Sequence, residues 1–163
     1  VADNSGQKQI LVLELAGAEY GFPADTVKEI VRLVEITPVP ESVVWLKGVI
    51  DYRGEIAVII DLAARLGLGK ASKELNAQIV IVEVSQHLVG LIVDQVLDVI
   101  SVEQAGVLAS CDELPLPEDL VTGAYEDGER LLVLLDLGKI LDFNGQDVIA
   151  KAKKRAKTNV KRS

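Results

Sequence analysis

Histidine and cysteine are nearly absent from this sequence, and methionine is missing altogether. The single cysteine, Cys111, excludes an internal disulfide and fits a reducing cytoplasm. The single histidine, His87, has no second imidazole to share a metal or a proton relay with, so no histidine-based metal or catalytic site is expected. Aromatic residues make up only 4% of a chain that is 49% hydrophobic. Valine, isoleucine and leucine must therefore fill the core, and their runs favour strands over helices. No apolar stretch approaches the roughly 18 to 20 residues a helix needs to cross a bilayer, so direct membrane insertion is not expected. Residues 1–8 are polar where a secretory leader would be apolar, and are expected to be disordered.

Positive charge is scarce except at one end. Residues 150–163 hold Lys151, Lys153, Lys154, Arg155, Lys157, Lys161 and Arg162 and no acid, so these seven cations leave −15 on the rest of a chain whose net charge is −8. An acidic body argues against nucleic-acid binding, which needs a basic face. The tail, 143–163, is expected to be a solvated, helical or frayed end, since its alanines favour helix but offer little apolar stripe.

The 163 residues suffice for one ordinary domain or two very small ones sharing a core. The pattern inside them is duplicated. Gly48 to Leu62 reads as a β-hairpin: an apolar run, a turn at Arg53-Gly54, and a second apolar run, buried on both faces and bounded by Asp61. The same phrase returns 75 residues later, with Gly48 on Gly123, Val58 on Val133, Asp61 on Asp136 and Leu62 on Leu137; Arg53 falls on Gly128. A strand over Gln9 to Leu15 likewise returns at Gln78 to Val84, 69 residues on, and the register holds through Gly21 on Gly90, Asp25 on Asp94, Val27 on Val96, Glu29 on Asp98 and Val31 on Ile100. The polar stretch Lys70 to Asn76 divides the body, 9–142, into halves of about 16–76 and 77–142, with the strand over 9–15 available to both. Each half holds about five short strands and one or two helical turns, the inventory of a small, partly open β-barrel. Two such barrels should pack together and leave a groove between them.

Local signals add detail. Pro23 stops the strand through Tyr20 to Phe22, and Asp25 or Thr26 can cap a short helix over Val27 to Ile30, where Val27, Ile30 and Val31 have helical spacing. Arg32 to Ile36 reads as extended, and Thr37-Pro38-Val39-Pro40 as a loop. Asp61 caps a helix from Leu62 to Leu66. In the second half Leu91-Ile92 replaces Phe22-Pro23, which lets that strand run on towards Ser101.

No catalytic constellation emerges. Cys111 carries no nucleophile signature, Asp61 and Asp136 are explained as caps, and no phosphate loop or nucleophile elbow occurs. Neither a cofactor nor a metal is expected. Arg53 remains, with three placements open: in solvent, tying backbone carbonyls across the junction of the halves, or meeting a partner's carboxylate. The Val27, Ile30, Val31 stripe is either core or a docking face.

Taken together, Val27-Lys28-Glu29-Ile30, Ile36-Thr37-Pro38-Val39-Pro40, Lys47-Gly48-Val49-Ile50-Asp51-Tyr52-Arg53-Gly54, Ile60-Asp61-Leu62 and Val89-Gly90-Leu91-Ile92-Val93-Asp94 resemble the CheW family of chemotaxis coupling proteins over about residues 9–142. The resemblance implies a mainly all-β fold of two tandem SH3-like five-stranded barrels, with no catalytic activity. It also implies a cytoplasmic scaffold that joins the cytoplasmic hairpin tip of chemoreceptors to the regulatory domain of a CheA-type histidine kinase, in arrays at the membrane. Carried over by position, the receptor groove falls on Val27, Glu29, Ile30, Val93 and Val96. Gly48 and Arg53 match positions that matter for coupling, with Arg53 partly structural at the subdomain junction. Asp51-Tyr52 departs from the family's usual Asn-Leu, and the basic tail is not a general family feature. A scaffold for a pilus-motility or other non-flagellar kinase pathway is the alternative.

Overall fold

The structure, a computed structural model, describes residues 7–39, 44–69, 77–103, 107–108, 120–127 and 130–141. Cys111, Gly128, the connector at 70–76, residues 1–6 and the basic tail lie outside them.

Strands account for most of these residues. They are β1 (Gln7–Leu15), β2 (Ala18–Pro23), β3 (Val27–Arg32), β4 (Leu46–Tyr52), β5 (Glu55–Asp61), β6 (Gln78–Val84), β7 (His87–Val93), β8 (Gln95–Glu103), β9 (Val107–Leu108), β10 (Val121–Asp127) and β11 (Arg130–Leu135). Two one-turn helices, α1 (Leu62–Arg65) and α2 (Leu137–Ile140), follow the hairpins. Each starts at an aspartate whose carboxylate accepts the backbone N–H three residues on, Asp61 from Ala64 and Asp136 from Lys139. The sequence-expected hairpin is present, and from Ala57 to Ile60 every residue of β5 is fully buried.

The strands form a six-stranded sheet in the order β8-β1-β2-β11-β10-β9 and a five-stranded sheet in the order β3-β6-β7-β5-β4. Both sheets mix the two halves of the repeat. The first hairpin lies parallel to β7, with Ile59 opposite Gly90, while the second hairpin lies parallel to β2, with Leu134 opposite Gly21. These are the same repeat positions exchanged, so the polar division at 70–76 separates the repeats and not the sheets. Irregularities recur as well. The ladder shifts between Leu46 and Gly48 and between Val121 and Gly123, each one bulge 75 residues from its copy.

Three apolar clusters explain the double-sided burial. The largest joins both sheets, through Leu13, Phe22 and Val133 from one and Val58, Val80 and Leu91 from the other, with Leu62 and Ile140 of the helices. Ala57, Ile59, Ile79 and Ile81 turn to a second cluster on the far face of the five-stranded sheet. Ile10, Val12, Leu132 and Leu134 form a third on the far face of the six-stranded one. Contacts also join the two edges of the five-stranded sheet: Glu29 of β3 bonds Arg53 at the end of β4, and Thr37 after β3 exchanges backbone hydrogen bonds of 2.8 and 2.9 Å with Val49 of β4. A sheet whose edges meet is curled into a small barrel, so the fold is mostly β and consistent with two packed SH3-like barrels.

Two local expectations are corrected. Ala24–Thr26 is a 3-10 turn, tied by a 2.7 Å hydrogen bond from the Thr26 hydroxyl to the Pro23 carbonyl, and Val27 to Ile30 is strand and not helix. A bulge caused the misreading: the ladder shifts between Val27 and Glu29, so Val27 opposite Val82 and Ile30 opposite Val80 share one face although three residues apart. A bulged strand thus imitates helical spacing. The second correction is at Asp94, which ends the strand expected to run on towards Ser101. Its N–H donates to the Glu14 carbonyl and its carboxylate accepts from the Ala16 N–H, and there the chain leaves the five-stranded sheet for the six-stranded one.

Candidate functional site

Edge strand β3 carries four of the residues singled out in the sequence, and its bulge sorts them onto two faces. Val27 and Ile30 face the shared core, where Val27 is half-buried against the large cluster and Ile30 remains 37% exposed. Glu29 and Val31, opposite Ile81 and Ile79, face the inner core of the five-stranded sheet. Val93, fully buried at the end of β7, and Val96, half-buried on β8, belong to the shared core as Val27 does. Gln78 secures the start of β8 by accepting the Val96 N–H at 2.8 Å. The five positions therefore divide: Val27, Ile30, Val93 and Val96 flank one apolar core, and Glu29 points away from it.

Edge strand β8 repeats β3 in detail. Its ladder with β1 shifts after Val12, pairing Val12 with Asp98 and Leu13 with Val96, which are the copies of the pairs Ile81 with Glu29 and Val82 with Val27. Val96 and Val99 accordingly face the shared core, as Val27 and Ile30 do, and Val99 is 52% exposed. Two edge strands thus present matching pairs of apolar residues beside one core. A row of unpaired backbone groups and apolar side chains on an edge is suited to receiving another chain.

Glu29 finds its partner in Arg53, whose Nη2 donates to Oε1 at 2.8 Å. Arg53 is 73% exposed on its side chain and lies 5.3 Å from the centre of the Tyr52 ring. Withdrawal from water raises the Tyr52 phenol above its ordinary pKa, and its hydrogen bond to Glu29 raises it further. Asp51 accepts the Gly54 N–H at 2.8 Å and closes the turn, in which Arg53 and Gly54 both have positive φ. Asp51 and Tyr52 are thus both engaged at the hairpin tip.

Gly48 lies where no other residue fits. Its φ is +146°, and a Cβ there would stand 2.1 Å from the Thr37 carbonyl oxygen.

Sequence reasoning missed two arginines. Arg65, in the last turn of α1, donates from Nε to the Ile140 carbonyl of α2 at 2.8 Å and lies 5.6 Å from the Trp45 ring centre. Residues 65 and 140 are copies of each other, so this bond joins the two halves of the repeat. Arg53, by contrast, bonds within a single sheet. The signal available was that Arg65 falls on an apolar copy. Arg130, at the start of β11, donates from Nε to Glu19 at 2.8 Å and from Nη2 to Asp98 at 3.2 Å, and its Nη2 forms an ion pair with the same Glu19 oxygen at 2.7 Å. The bond to Glu19 is the first cause of its raised pKa.

His87 opens β7, and no group of three or more potential metal ligands occurs among the described residues. Nor does any helix among them have the length and apolarity to cross a membrane.

Residues 9–144 match the family model of the CheW-like domain. The chain is 30% identical to the chemotaxis protein CheW of Klebsiella aerogenes over 135 residues, which is 82% of this chain and 81% of that protein. It is 24% identical to protein FrzA of Myxococcus xanthus, covering 89% of this chain and 92% of that one. Among solved structures it resembles the scaffolding protein TtCheW from Thermoanaerobacter tengcongensis, with a TM-score of 0.77 and 33% identity over 85% of this chain and 90% of the other.

Proposed function

This chain belongs to the CheW-like domain family, whose members are non-catalytic scaffold and adaptor proteins, and on that premise we propose that it couples chemoreceptors to a CheA-type histidine kinase. In this reading the helical hairpin tip of a receptor lies along the edges formed by Val27 and Ile30 on β3 and by Val96 on β8, with Val93 beneath. The kinase's regulatory domain takes another exposed barrel edge. The observation that carries the reading is the matched pair of apolar edges beside one shared core, Ile30 and Val99 being large and exposed on the two copies. Association is with receptor arrays at the membrane, through receptors and without insertion. Signal passes only if these contacts differ between receptor states. The test is a pull-down of the cognate receptor tip and kinase regulatory domain, separately and together. Capture of neither overturns the reading.

Val27→Asp places an unpartnered carboxylate against the shared core and is expected to weaken receptor-tip binding by more than about 1 kcal/mol. Calorimetric titration checks this, and an affinity equal to wild type removes Val27 from the interface. Arg53→Ala should separate coupling from folding. Its partner is a half-exposed carboxylate and its own side chain is largely in water, so the thermal stability lost is under about 1 kcal/mol. Kinase activation in a reconstituted array is expected to fall nonetheless. A variant with full coupling returns Arg53 to plain surface.

The likeness to FrzA supports a second reading, a scaffold of the same kind serving a non-flagellar kinase pathway. Which cognate kinase domain is captured distinguishes the two.

A further inference from the structure

The pairing of Glu29 on β3 with Arg53 of the β4–β5 turn has a counterpart that the repeat disguises. Glu29 corresponds to Asp98, but Arg53 corresponds to Gly128, so the second half looks as if it lacks the arginine. The structure supplies Arg130 instead, two positions further along, from the outgoing strand of its hairpin. Asp98 follows the β8 bulge as Glu29 follows the β3 bulge, and each carboxylate stands opposite an apolar residue of its barrel's inner core, Val12 or Ile81. Fixing the acid on that face fixes the opposite face as well, because side chains alternate along a strand. The residues two before and one after the acid are then Val27 and Ile30 in one copy and Val96 and Val99 in the other.

β8 needs such a tie. It is the outer strand of its sheet, paired with β1 alone, and the ladder is interrupted at the bulge. Arg130, at the start of β11, touches β8 through Asp98 and β2, the strand next to its own, through Glu19. β8 and β11 are three strand steps apart in the sheet order, about 14 Å on a flat sheet, so the sheet curls to bring them within an arginine's reach. Its side chain is 30% exposed against 73% for Arg53, so this clasp is the better shielded of the two.

We propose that Arg130 is a positioning residue for the β8 wall: by holding Asp98 and Glu19 together it sets the bulge that presents Val96 and Val99 to a docking receptor helix. The inference rests on the reading of β3 and β8 as the walls of the receptor groove. The test compares wild type, Arg130→Gln and Arg130→Lys by methyl NMR, with the methyls of Val27 and Ile30 on the other wall as internal reference, and by titration with the receptor tip. Arg130→Gln is expected to shift or broaden the Val96 and Val99 methyl signals, leave those of Val27 and Ile30 in place, and weaken tip binding about fivefold. Arg130→Lys, which keeps the charge, restores most of both. Unmoved Val96 and Val99 signals in Arg130→Gln overturn the proposal. So do changes spread equally over both walls, which mark general loosening. If Arg130→Gln does not fold, Asp98→Asn, which removes the charge on β8 and leaves the Arg130 bond to Glu19, is read in the same way. A wild-type protein that binds no receptor tip removes the functional reading, while the methyl comparison still decides the role of Arg130.

Discussion

Gly48→Ala is expected to destabilise the protein by about 3 to 5 kcal/mol, although it adds one methyl group. Two costs combine. At φ +146° an L-residue is held in a region of backbone space that costs on the order of 1 to 3 kcal/mol. The new Cβ would also stand 2.1 Å from the Thr37 carbonyl oxygen and 2.8 Å from its carbon, and this neighbour is backbone. Relief requires Thr37 to move, which breaks its two hydrogen bonds with Val49 at roughly 0.5 to 1.5 kcal/mol each. Those bonds help bring the edges of the five-stranded sheet together, so the barrel loosens where Glu29 and Arg53 meet. Gly54→Ala is the control. Gly54 also has positive φ, at +85°, but nothing lies within 4 Å of its added Cβ, so only the conformational cost of about 1 kcal/mol remains. Urea denaturation measures both, and equal midpoints for the two variants would show that the Thr37 contact does not matter.

What could be read from the sequence was local or repeated. The hairpin through Arg53 and Gly54 was legible because a two-residue turn between apolar runs fixes its own register. Asp61 and Asp136 were legible as caps because each bonds a group three residues away. Gly21 and Gly90 recur because each faces an isoleucine where a Cβ would intrude, Ile10 in one case and Ile59 and Ile79 in the other. Val27 to Ile30 misled because a bulge shifts the phase of a strand by one residue, and apolar spacing alone cannot distinguish this from a helical turn. The exchange of strands between repeats left no trace in the sequence. Parallel pairing of β5 with β7 depends on neighbours about 31 residues apart, and either half could have paired with itself without altering a single apolar pattern. Arg130 escaped notice for a related reason: a copy-to-copy comparison looks for the same residue at the same position, whereas a long, flexible side chain can reach the same carboxylate from two positions away.

The exchanged strands carry the other large prediction. Phe22→Ala is expected to cost about 3 to 5 kcal/mol, since the ring is fully buried in the cluster shared by both sheets. Its copy, Leu91, is buried as completely in the same cluster, and Leu91→Ala should cost about 2 to 5 kcal/mol. The informative quantity is the shape of the transition. If each repeat were a separate folding unit, Phe22→Ala would unfold one half early and leave the other intact, giving two steps. But β6 and β7 are flanked by β3 and β5 of the first repeat, while β2 is flanked by β11 of the second. Neither sheet exists without both halves, and Phe22 and Leu91 pack into one core. A single transition, displaced in each variant and coincident by far-ultraviolet circular dichroism and by Trp45 fluorescence, is therefore expected. Fragments divided at the polar connector extend the test. Each alone lacks the strands that flank its own and is expected to remain unfolded, and mixing the two should restore the β signal as the exchanged strands find each other. Independent folding of either fragment would mean that its strands can pair within the repeat, against the exchange of hairpins that brings Ile59 opposite Gly90 and Leu134 opposite Gly21.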